Sequence, residues 1–187
     1  MDQKIAAGNG TYIAFHVACR IPSSNADVKH YNLLKAWTLK KDNEFSMITS
    51  HEKVAAKQDA GLRAALQARL ETNLQTSKHL LLVIENTDQA DNEWISMEIG
   101  YAVDQCKLPI IAAYTKYDYV LAPKFLSALW PGALKSRIEA NIAHVMHIPF
   151  KKKPIKTAMN QFNPSNRPKG PLAHYPEETY QKWGLIK

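Results

Sequence analysis

Short apolar runs alternate along this chain with longer segments in which apolar residues recur every three or four positions. Five runs have the length and composition of buried strands: residues 12–17, 45–49, 79–84, 108–114 and 144–148. The run 79–84 is apolar after its first residue. That composition predicts a central parallel strand with helices covering both of its faces.

The segments between these runs carry helical periodicity. Leu62, Leu66, Leu70 and Leu74 lie four positions apart, which predicts an amphipathic helix. We expect Asp27 to cap a second such helix, which follows it. We predict further helices at 94–106, 123–131, about 134–142 and 155–162. The stretch 50–53 is too polar for the core, and the chain from residue 163 is rich in proline and predicted to be irregular.

This alternation of strands and helices predicts an α/β fold. Repeating units of roughly 30 residues require right-handed crossovers, which produce a parallel sheet. We therefore expect a flavodoxin-like, five-stranded parallel sheet with helices on both faces, formed by a domain of residues 1–162. Residues 163–187 are expected to pack on this domain or to trail from it. Ligands of such sheets bind at the carboxyl ends of the strands, so the loops after the first three strands are candidate sites.

The charge of the chain is concentrated in its last segment. The 187 residues carry 24 Lys and Arg against 17 Asp and Glu, a formal net charge of +7. Residues 151–187 hold 8 of these cations and 2 of the anions. Phosphate recognition needs a shaped basic surface, and this segment has many prolines and few aromatic residues. Its composition favours a solvated tail or a partner-docking arm over nucleic-acid binding.

Several classes of protein are excluded by what the sequence lacks. No apolar stretch approaches the ~20 residues that span a bilayer, and residues 1–10 have no apolar core of a secretory signal. Cys19 and Cys106 are far apart and outside any CxxC pattern, which argues against a disulfide framework or a thiolate zinc site. Glycine-rich phosphate loops and nucleophile elbows are absent. We expect a cytoplasmic protein that does not contact membranes.

The sharpest candidate site lies within residues 94–102. On a helix, Trp94, Glu98 and Tyr101 lie along one side, opposite most of the apolar stripe. Gly100 costs about 1 kcal/mol of helix propensity, which is easier to explain if another group approaches closely. A carboxylate beside aromatic rings can hold sugar hydroxyls and stabilise an oxocarbenium-like centre during glycosidic cleavage. The alternative is structural, with Glu98 an exposed helix residue and Trp94 a partly buried anchor.

The histidines give weaker signals. His16 can be a satisfied histidine at a strand end, and His51 an ordinary loop residue. His144 and His147 have a spacing that suggests a metal, but in a strand they point to opposite faces. No carboxylate or thiolate lies close to them in sequence, so we expect no metal site.

Six segments of the chain together resemble a known family. Residues 12–16, 31–37, 45–53, 70–79, 94–102 and 108–114 are similar to those of the TIR-like proteins of bacterial Thoeris antiphage systems. The likeness extends over about residues 11–162. TIR domains have a five-stranded flavodoxin-like fold, and their catalytic glutamate lies in a Trp-x-x-x-Glu motif on the helix after the third strand. Trp94 and Glu98 match that motif.

The resemblance implies cleavage of the nicotinamide–ribose bond of NAD, which is the substrate, with no separate cofactor. Cyclisation or transfer of the ADP-ribose would make a nucleotide messenger for a product-sensing effector protein. Glu98 is the implied catalytic residue, which holds ribose hydroxyls and stabilises the cationic centre. The implied substrate-binding residues are Phe15, His16, Ser50, His51 and Trp94. TIR–TIR contacts imply self-association, and the motif says nothing about the segment beyond residue 162.

Two other functions are open at this point. Many TIR domains assemble with partners and do no chemistry, so the chain can be a signalling adaptor in which Glu98 is idle. A nucleoside deoxyribosyltransferase is a further flavodoxin-like enzyme, and its nucleophilic glutamate precedes a glycine and an alanine, as Glu98 does here. That enzyme would use deoxyribonucleosides and form a covalent glycosyl intermediate at Glu98.

Overall fold

The computed structural model describes residues 10–16, 26–37, 45–85 and 93–187, and within them a six-stranded parallel sheet. The strands are β1 (Gly10–His16), β2 (Phe45–Ser46), β3 (Ser77–Ile84), β4 (Ile110–Tyr114), β5 (Val145–Pro149) and β6 (Ala173–His174). Their order across the sheet is β2-β1-β3-β4-β5-β6. Tyr12 lies beside Leu80, and His16 beside Ile84, in the pairing of β1 with β3. The order changes direction at β1, which is the usual place for a ligand in this class of sheet.

Helices cover both faces of the sheet. In the described residues they are α1 (Ala26–Trp37), α2 (Ser50–Ala55), α3 (Ala60–Gln75), α4 (Glu93–Gly100), α5 (Gly132–Glu139), α6 (Lys152–Gln161) and α7 (Glu177–Lys182). α4 continues into a π-helical turn, Tyr101–Gln105, and Pro123–Leu129 form a 3₁₀ helix. No helix in the described part of the chain is long and apolar enough to cross a membrane.

Side-chain alternation along the strands divides the core into two layers. Tyr12 and Ala14 of β1 enter a cluster that contains apolar residues of α3, α4 and α5, and we call this side of the sheet the Tyr12 face. Ile13 and Phe15 enter a cluster with residues of α1 and α6, on the side that we call the Phe15 face. Successive strand residues point to opposite faces. The position of a residue in β1 therefore decides whether it lies on the side of α4.

The predicted flavodoxin-like α/β class is confirmed, with six strands instead of five. The additional strand, β6, lies in the segment that was expected to be irregular from its proline content. It is two residues long and pairs with β5 at Met146 and His147. So short an edge strand, between Pro171 and Pro176, leaves no periodicity that a sequence pattern could show.

Other boundaries differ from the predicted ones. β2 ends at Ser46, whereas the apolar run extends to residue 49. The polar stretch 50–53 begins helix α2. The helix predicted at 94–106 is α-helical to Gly100 and then π-helical, and the one predicted at 123–131 is a 3₁₀ helix. Residue 17, the predicted end of the first strand, lies outside the described residues. Helix α1 begins at Ala26, so Asp27 is its second residue and not a residue ahead of it.

The segment after residue 162 contributes to the core of the Phe15 face. Tyr180 is fully buried and Tyr175 nearly so, and both belong to that cluster. The ring Nε2 of His147 lies 2.9 Å from the carbonyl oxygen of Pro171, which accepts its hydrogen bond. The segment is therefore packed against the sheet and hydrogen-bonded to it. The division into residues 1–162 and 163–187 stays a prediction, which truncation can test.

Candidate functional site

Glu98 lies in the second turn of α4, and its side chain is fully buried. Its exposure of 0% excludes the interpretation of this glutamate as an exposed helix residue. Trp94, Ile95 and Ile99 of the same helix are buried on the Tyr12 face. A carboxylate in such surroundings needs partners, because an unpaired buried charge is strongly destabilising. These partners come from β1 and α2.

Tyr12 of β1 and Lys53 of α2 are the partners of the Glu98 carboxylate. The Tyr12 hydroxyl donates a hydrogen bond to Oε1 of Glu98 at 2.8 Å. The Lys53 Nζ atom lies 2.9 Å from Oε1 and 3.0 Å from Oε2. Tyr12 is fully buried, whereas the side chain of Lys53 is 12% exposed. We call these three residues the Glu98 cluster; Lys53 is its member with access to solvent.

The start of α2 is fixed by local hydrogen bonds, and this places Lys53. Thr49 and Glu52 form a capping box: the Thr49 hydroxyl accepts from the backbone N–H of Glu52 at 3.3 Å, and the Glu52 carboxylate accepts from that of Thr49 at 2.8 Å. Arg69 of α3 donates to Glu52 at 2.5 Å. Partial burial acts to raise the pKa of Glu52, but the hydrogen bonds from Thr49 and Arg69 outweigh it and lower that pKa. The helix is thereby held against α3, with Lys53 directed to Glu98.

The Tyr12 hydroxyl is a hydrogen-bond donor throughout the physiological pH range. Burial, followed by the negative charge of Glu98, raises the pKa of Tyr12 well above its ordinary value. Glu98 therefore has a neutral donor on the side of the sheet and a cation on the side of α2.

Trp94 lies one helical turn before Glu98 and is 2% exposed. It is therefore a fully buried ring and not a partly buried anchor. Among the residues that the structure describes, its indole N–H has no hydrogen-bond partner. Leaving a buried donor unpaired costs about 1–3 kcal/mol, so such a group in a native protein requires an explanation.

The two predicted binding residues of β1 lie on different faces of the sheet. Phe15 packs in the core of the Phe15 face, on the opposite side of β1 from Tyr12. His16 is the last residue of β1 and is 8% exposed; alternation places it on the Tyr12 face. Both residues are near the carboxyl end of β1, and their roles in binding stay predictions.

Ser50 and His51 are the first two residues of α2. Their side chains lie outside the described part of the structure. The structure does bring the Trp94 ring and the Glu98 carboxylate onto one helix of the Tyr12 face. Because the side chains of Ser50 and His51 are not described, their contact with a ligand stays a prediction.

The close approach predicted at Gly100 is made by the protein itself. A Cβ atom on Gly100 would lie 3.3 Å from Nη2 of Arg137. The Arg137 guanidinium is ion-paired with Asp104 and also donates to the carbonyl oxygen of Ala133 at 2.8 Å. The hydrogen bonds from Arg137 lower the pKa of Asp104. Gly100 is thus explained by packing under an arginine, with no ligand required.

A cleft of about 210 Å³ lies between α3 and the segment formed by α4 and its π-helical turn. Tyr101 and Met97 are among its lining residues, and the Tyr101 hydroxyl accepts a hydrogen bond from Gln75 of α3 at 2.7 Å. Glu98 does not line this cleft. The candidate site is therefore identified by the chemistry of the Glu98 cluster and not by the cleft.

Two buried histidines have structural roles. In His79, Nδ1 lies 3.0 Å from the carbonyl oxygen of Phe162, and Nε2 lies 2.8 Å from the hydroxyl of Thr11. In His147, Nδ1 lies 2.7 Å from the hydroxyl of Tyr114. Burial lowers the pKa of each histidine to about 4. In the described ranges no three His, Cys, Asp or Glu side chains are grouped so that they could hold a metal ion.

In the Glu98 cluster, Tyr12 carries no functional prediction from the sequence, and Lys53 is predicted only as part of the polar stretch after the second strand, with no role of its own. The pattern assigns Tyr12 to an apolar strand and leaves Lys53 in a polar stretch. The Thr49-x-x-Glu52 signature of a capping box does signal a helix start there. The contact of Lys53 with Glu98, 45 residues away, depends on the packing of α2 against the sheet, which no local pattern shows.

Comparisons with known proteins show a similarity to a solved structure and a match to a family model. The structure is described as the crystal structure of a conserved protein from Enterococcus faecalis V583. It is 14% identical, with a TM-score of 0.49, and the match covers 83% of this chain and 99% of that chain. The family model described as Thoeris protein ThsB, TIR-like domain, matches residues 12–119, which is more than half of the chain. The matched range includes Tyr12, Lys53 and Glu98.

Proposed function

Because this chain belongs to the family of Thoeris ThsB TIR-like domains, we propose that it acts in antiphage defence as an NAD-cleaving enzyme. The proposed reaction breaks the nicotinamide–ribose bond of NAD and converts the ADP-ribose part into a signalling nucleotide. Such glycosidic cleavage passes through a positively charged sugar centre that must be stabilised. Glu98 is the group that would stabilise it.

The proposed cleavage is a heterolysis. The bond between the anomeric carbon and the nicotinamide nitrogen breaks, the electron pair stays on the nitrogen, and nicotinamide leaves as a neutral molecule. The sugar is left with an oxocarbenium-like charge. A nucleophile then adds to the anomeric carbon and loses its proton: water in hydrolysis, an atom of the same ADP-ribose in cyclisation, or an acceptor in transfer. A fixed negative charge beside the sugar lowers the barrier of the first step.

One observation carries the proposal: the Glu98 carboxylate is fully buried and accepts from both a hydroxyl and an ammonium group. The two carboxylate oxygens of Glu98, which accept from these donors, could accept hydrogen bonds from the hydroxyls of a ribose in the same way. Little water surrounds the carboxylate, so its charge acts strongly on a nearby cation. The indole N–H of Trp94, one turn earlier, has no hydrogen-bond partner among the described residues and adds a donor that a ligand could satisfy.

The remaining roles are proposed from the family resemblance. Phe15 and His16 would line the nucleotide pocket, Ser50 and His51 would contact the ligand or a neighbouring copy, and Trp94 would brace the site. NAD is the substrate, so no separate cofactor is proposed. A product-sensing effector protein would receive the nucleotide, and copies of the chain would associate through TIR–TIR contacts. We place the reaction in the cytoplasm.

The test is chromatography with mass detection of NAD incubated with the purified chain at high concentration. Wild type is compared with Glu98→Gln and with Glu93→Gln, a control on the same helix whose side chain is 54% exposed. We expect nicotinamide release by wild type and by the control but not by Glu98→Gln. The product mass distinguishes hydrolysis, cyclisation and transfer. The proposal is overturned if neither this assay nor lysate of infected cells that express the protein contains a Glu98-dependent nucleotide.

A second candidate function, the non-catalytic TIR adaptor, is favoured by the closure of the site. The ammonium group of Lys53 contacts both carboxylate oxygens of Glu98, whose side chain is 0% exposed. Such an enclosed ion pair is expected of a glutamate with a structural role. An adaptor would protect cells from phage without NAD cleavage. Full protection by a folded Glu98→Gln variant would therefore favour the adaptor, and loss of protection would favour the enzyme.

A further inference from the structure

Lys53 occupies the place beside Glu98 that a substrate would need. Its ammonium group contacts both carboxylate oxygens, and the Tyr12 hydroxyl takes a second position on Oε1. Tyr12 belongs to the sheet and is fully buried, whereas the Lys53 side chain is 12% exposed. A ribose can therefore reach Glu98 if Lys53 moves, with the sheet left as it is.

Lys53 and the nicotinamide ring of oxidised NAD, which would compete for the place beside Glu98, are both positively charged. The nicotinamide ring of oxidised NAD is a pyridinium cation, and the Lys53 side chain is an ammonium cation. Two cations beside one poorly solvated carboxylate repel each other, whereas one cation compensates it. The neutral dihydronicotinamide ring of NADH cannot replace the charge of Lys53.

We propose that Lys53 is a positioning residue that compensates Glu98 in the free protein and is displaced by the cationic nicotinamide end of oxidised NAD, an exchange that the neutral ring of NADH does not make. This inference rests on the proposed function, because it takes NAD as the ligand of Glu98. The exchange replaces one cation by another, so the buried carboxylate is never left without a positive partner.

The construction of α2 permits this movement. The helix has six residues, and its start is held by the Thr49–Glu52 capping box and by Arg69. Val54 and Ala55, which follow Lys53, are exposed. The lysine side chain is a flexible stem with a strongly hydrated head, so its ammonium group can turn outward while the cap keeps the helix in place.

The experiment measures equilibrium binding of oxidised NAD and of NADH by calorimetry, together with the KM and kcat of nicotinamide release. The proteins are the full chain as wild type, Lys53→Met and Lys53→Arg. Lys57→Met is the matched control, since this exposed lysine near the end of α2 carries the same charge. The control corrects for the general effect of a removed cation on a ligand with a negative pyrophosphate.

For Lys53→Met we expect oxidised NAD to bind roughly tenfold more tightly, with KM lowered in proportion, because the ligand then supplies the missing cation. Binding of NADH should change by less than about twofold. Lys53→Arg keeps the charge and should stay close to wild type. Should Lys53→Met fail to fold, Thr49→Ala is the second variant. It removes the cap of α2 that directs Lys53 to Glu98 but keeps the lysine, so NAD should displace the lysine more easily and KM should fall by about two- to fivefold.

The binding and kinetic results test the role of Lys53 separately from the proposed cleavage of NAD. Equal or weaker binding of oxidised NAD by the folded Lys53→Met variant, or an equal gain for NADH, overturns the role of Lys53. If wild type cleaves NAD and KM is unaffected by Lys53→Met, the inference is wrong and the proposed function stands. Tighter, NAD-selective binding would support the inference even without nicotinamide release, and the enzyme would be overturned if lysate of infected cells also lacked a Glu98-dependent nucleotide. If no variant binds oxidised NAD, the inference is overturned, and the assay of infected-cell lysate decides the proposed function.

Discussion

The ammonium group of Lys53 lies 2.9 Å from Oε1 and 3.0 Å from Oε2 of Glu98, although the two residues are 45 positions apart in the chain. Tyr12 completes the surroundings of the carboxylate from the sheet. The glutamate of the Trp-x-x-x-Glu motif is thus compensated by a residue of a different helix. The burial and the charge compensation of the carboxylate depend on this pair.

A double-mutant cycle measures the strength of the pair. Lys53→Met leaves a buried carboxylate without its cation, and Glu98→Gln leaves a partly buried cation without its anion, so we expect each to lower the free energy of unfolding by about 2–4 kcal/mol. The double variant should lose about 1–3 kcal/mol less than the sum of the single losses. Urea unfolding of the four proteins gives the coupling. Additive losses would show that the pair contributes nothing to stability.

Gly100 and Arg137 provide a second cycle. Alanine is favoured over glycine in a helix by about 1 kcal/mol, but a Cβ on Gly100 would lie 3.3 Å from Nη2 of Arg137. Arg137 is held by Asp104 and by the carbonyl of Ala133, so it cannot move freely. We expect Gly100→Ala to give no stabilisation in wild type and about 0.5–1 kcal/mol in the Arg137→Ala background, measured by urea unfolding. Equal stabilisation in both backgrounds would mean that Arg137 does not explain the glycine.

His79 and His147, both fully buried, lead us to expect a loss of stability in mild acid. Burial lowers the pKa of His79 and of His147 to about 4, whereas the unfolded value is about 6.5. Below pH 6.5 the unfolded chain binds more protons than the folded one, so their stabilisation is complete above that pH and is lost as the pH falls from about 6.5 to 4. The loss is on the order of 3 kcal/mol for each histidine.

The measurement is urea unfolding between pH 8 and 5, a range in which Asp and Glu side chains of ordinary pKa titrate little. The Phe162 carbonyl can only accept, so Nδ1 of His79 must carry its proton and Nε2 must be the acceptor for Thr11. Protonation of His79 breaks the second of these bonds. A free energy of unfolding that stays constant from pH 6.5 to 5 would contradict the assignment of neutral histidines.

Truncation tests whether residues 1–162 are sufficient for the fold. Tyr180 and Tyr175 complete the core of the Phe15 face, and the loss of one buried large aromatic side chain already costs about 3–5 kcal/mol. We expect a chain that ends at residue 162 to lose cooperative thermal unfolding, followed by circular dichroism. Leu172→Ala, at a site with 37% exposure in the same segment, is the control and should keep the wild-type midpoint. A cooperative transition in the truncated chain would support a separate domain of 1–162.

The parts of the fold that could be predicted from the sequence are those that local periodicity encodes. The apolar run of β3 and the leucine repeat of α3 each span enough residues to show their period. β6, with two residues, does not, and its pairing with β5 depends on contacts such as that of His147 with Pro171.

The candidate site likewise combines local features, which the sequence indicates, with tertiary contacts, which it does not. The motif of Trp94 and Glu98 is local, so the sequence indicates it, and the capping box of α2 is local too. Burial of Glu98 and its contact with Lys53 are tertiary, because α2, α4 and β1 must first pack together. The role of Gly100 depends likewise on Arg137, which approaches from α5.

The role of Glu98 is measured by the initial rate of nicotinamide release from NAD by purified wild type, Glu98→Gln and Glu93→Gln at equal concentrations of folded protein. Removal of a group that stabilises charge in the transition state lowers rates on the order of 10²–10³-fold or more. We predict such a loss for Glu98→Gln alone, with Glu93→Gln close to wild type. Turnover by Glu98→Gln at the wild-type rate would contradict a role of Glu98 in the cleavage.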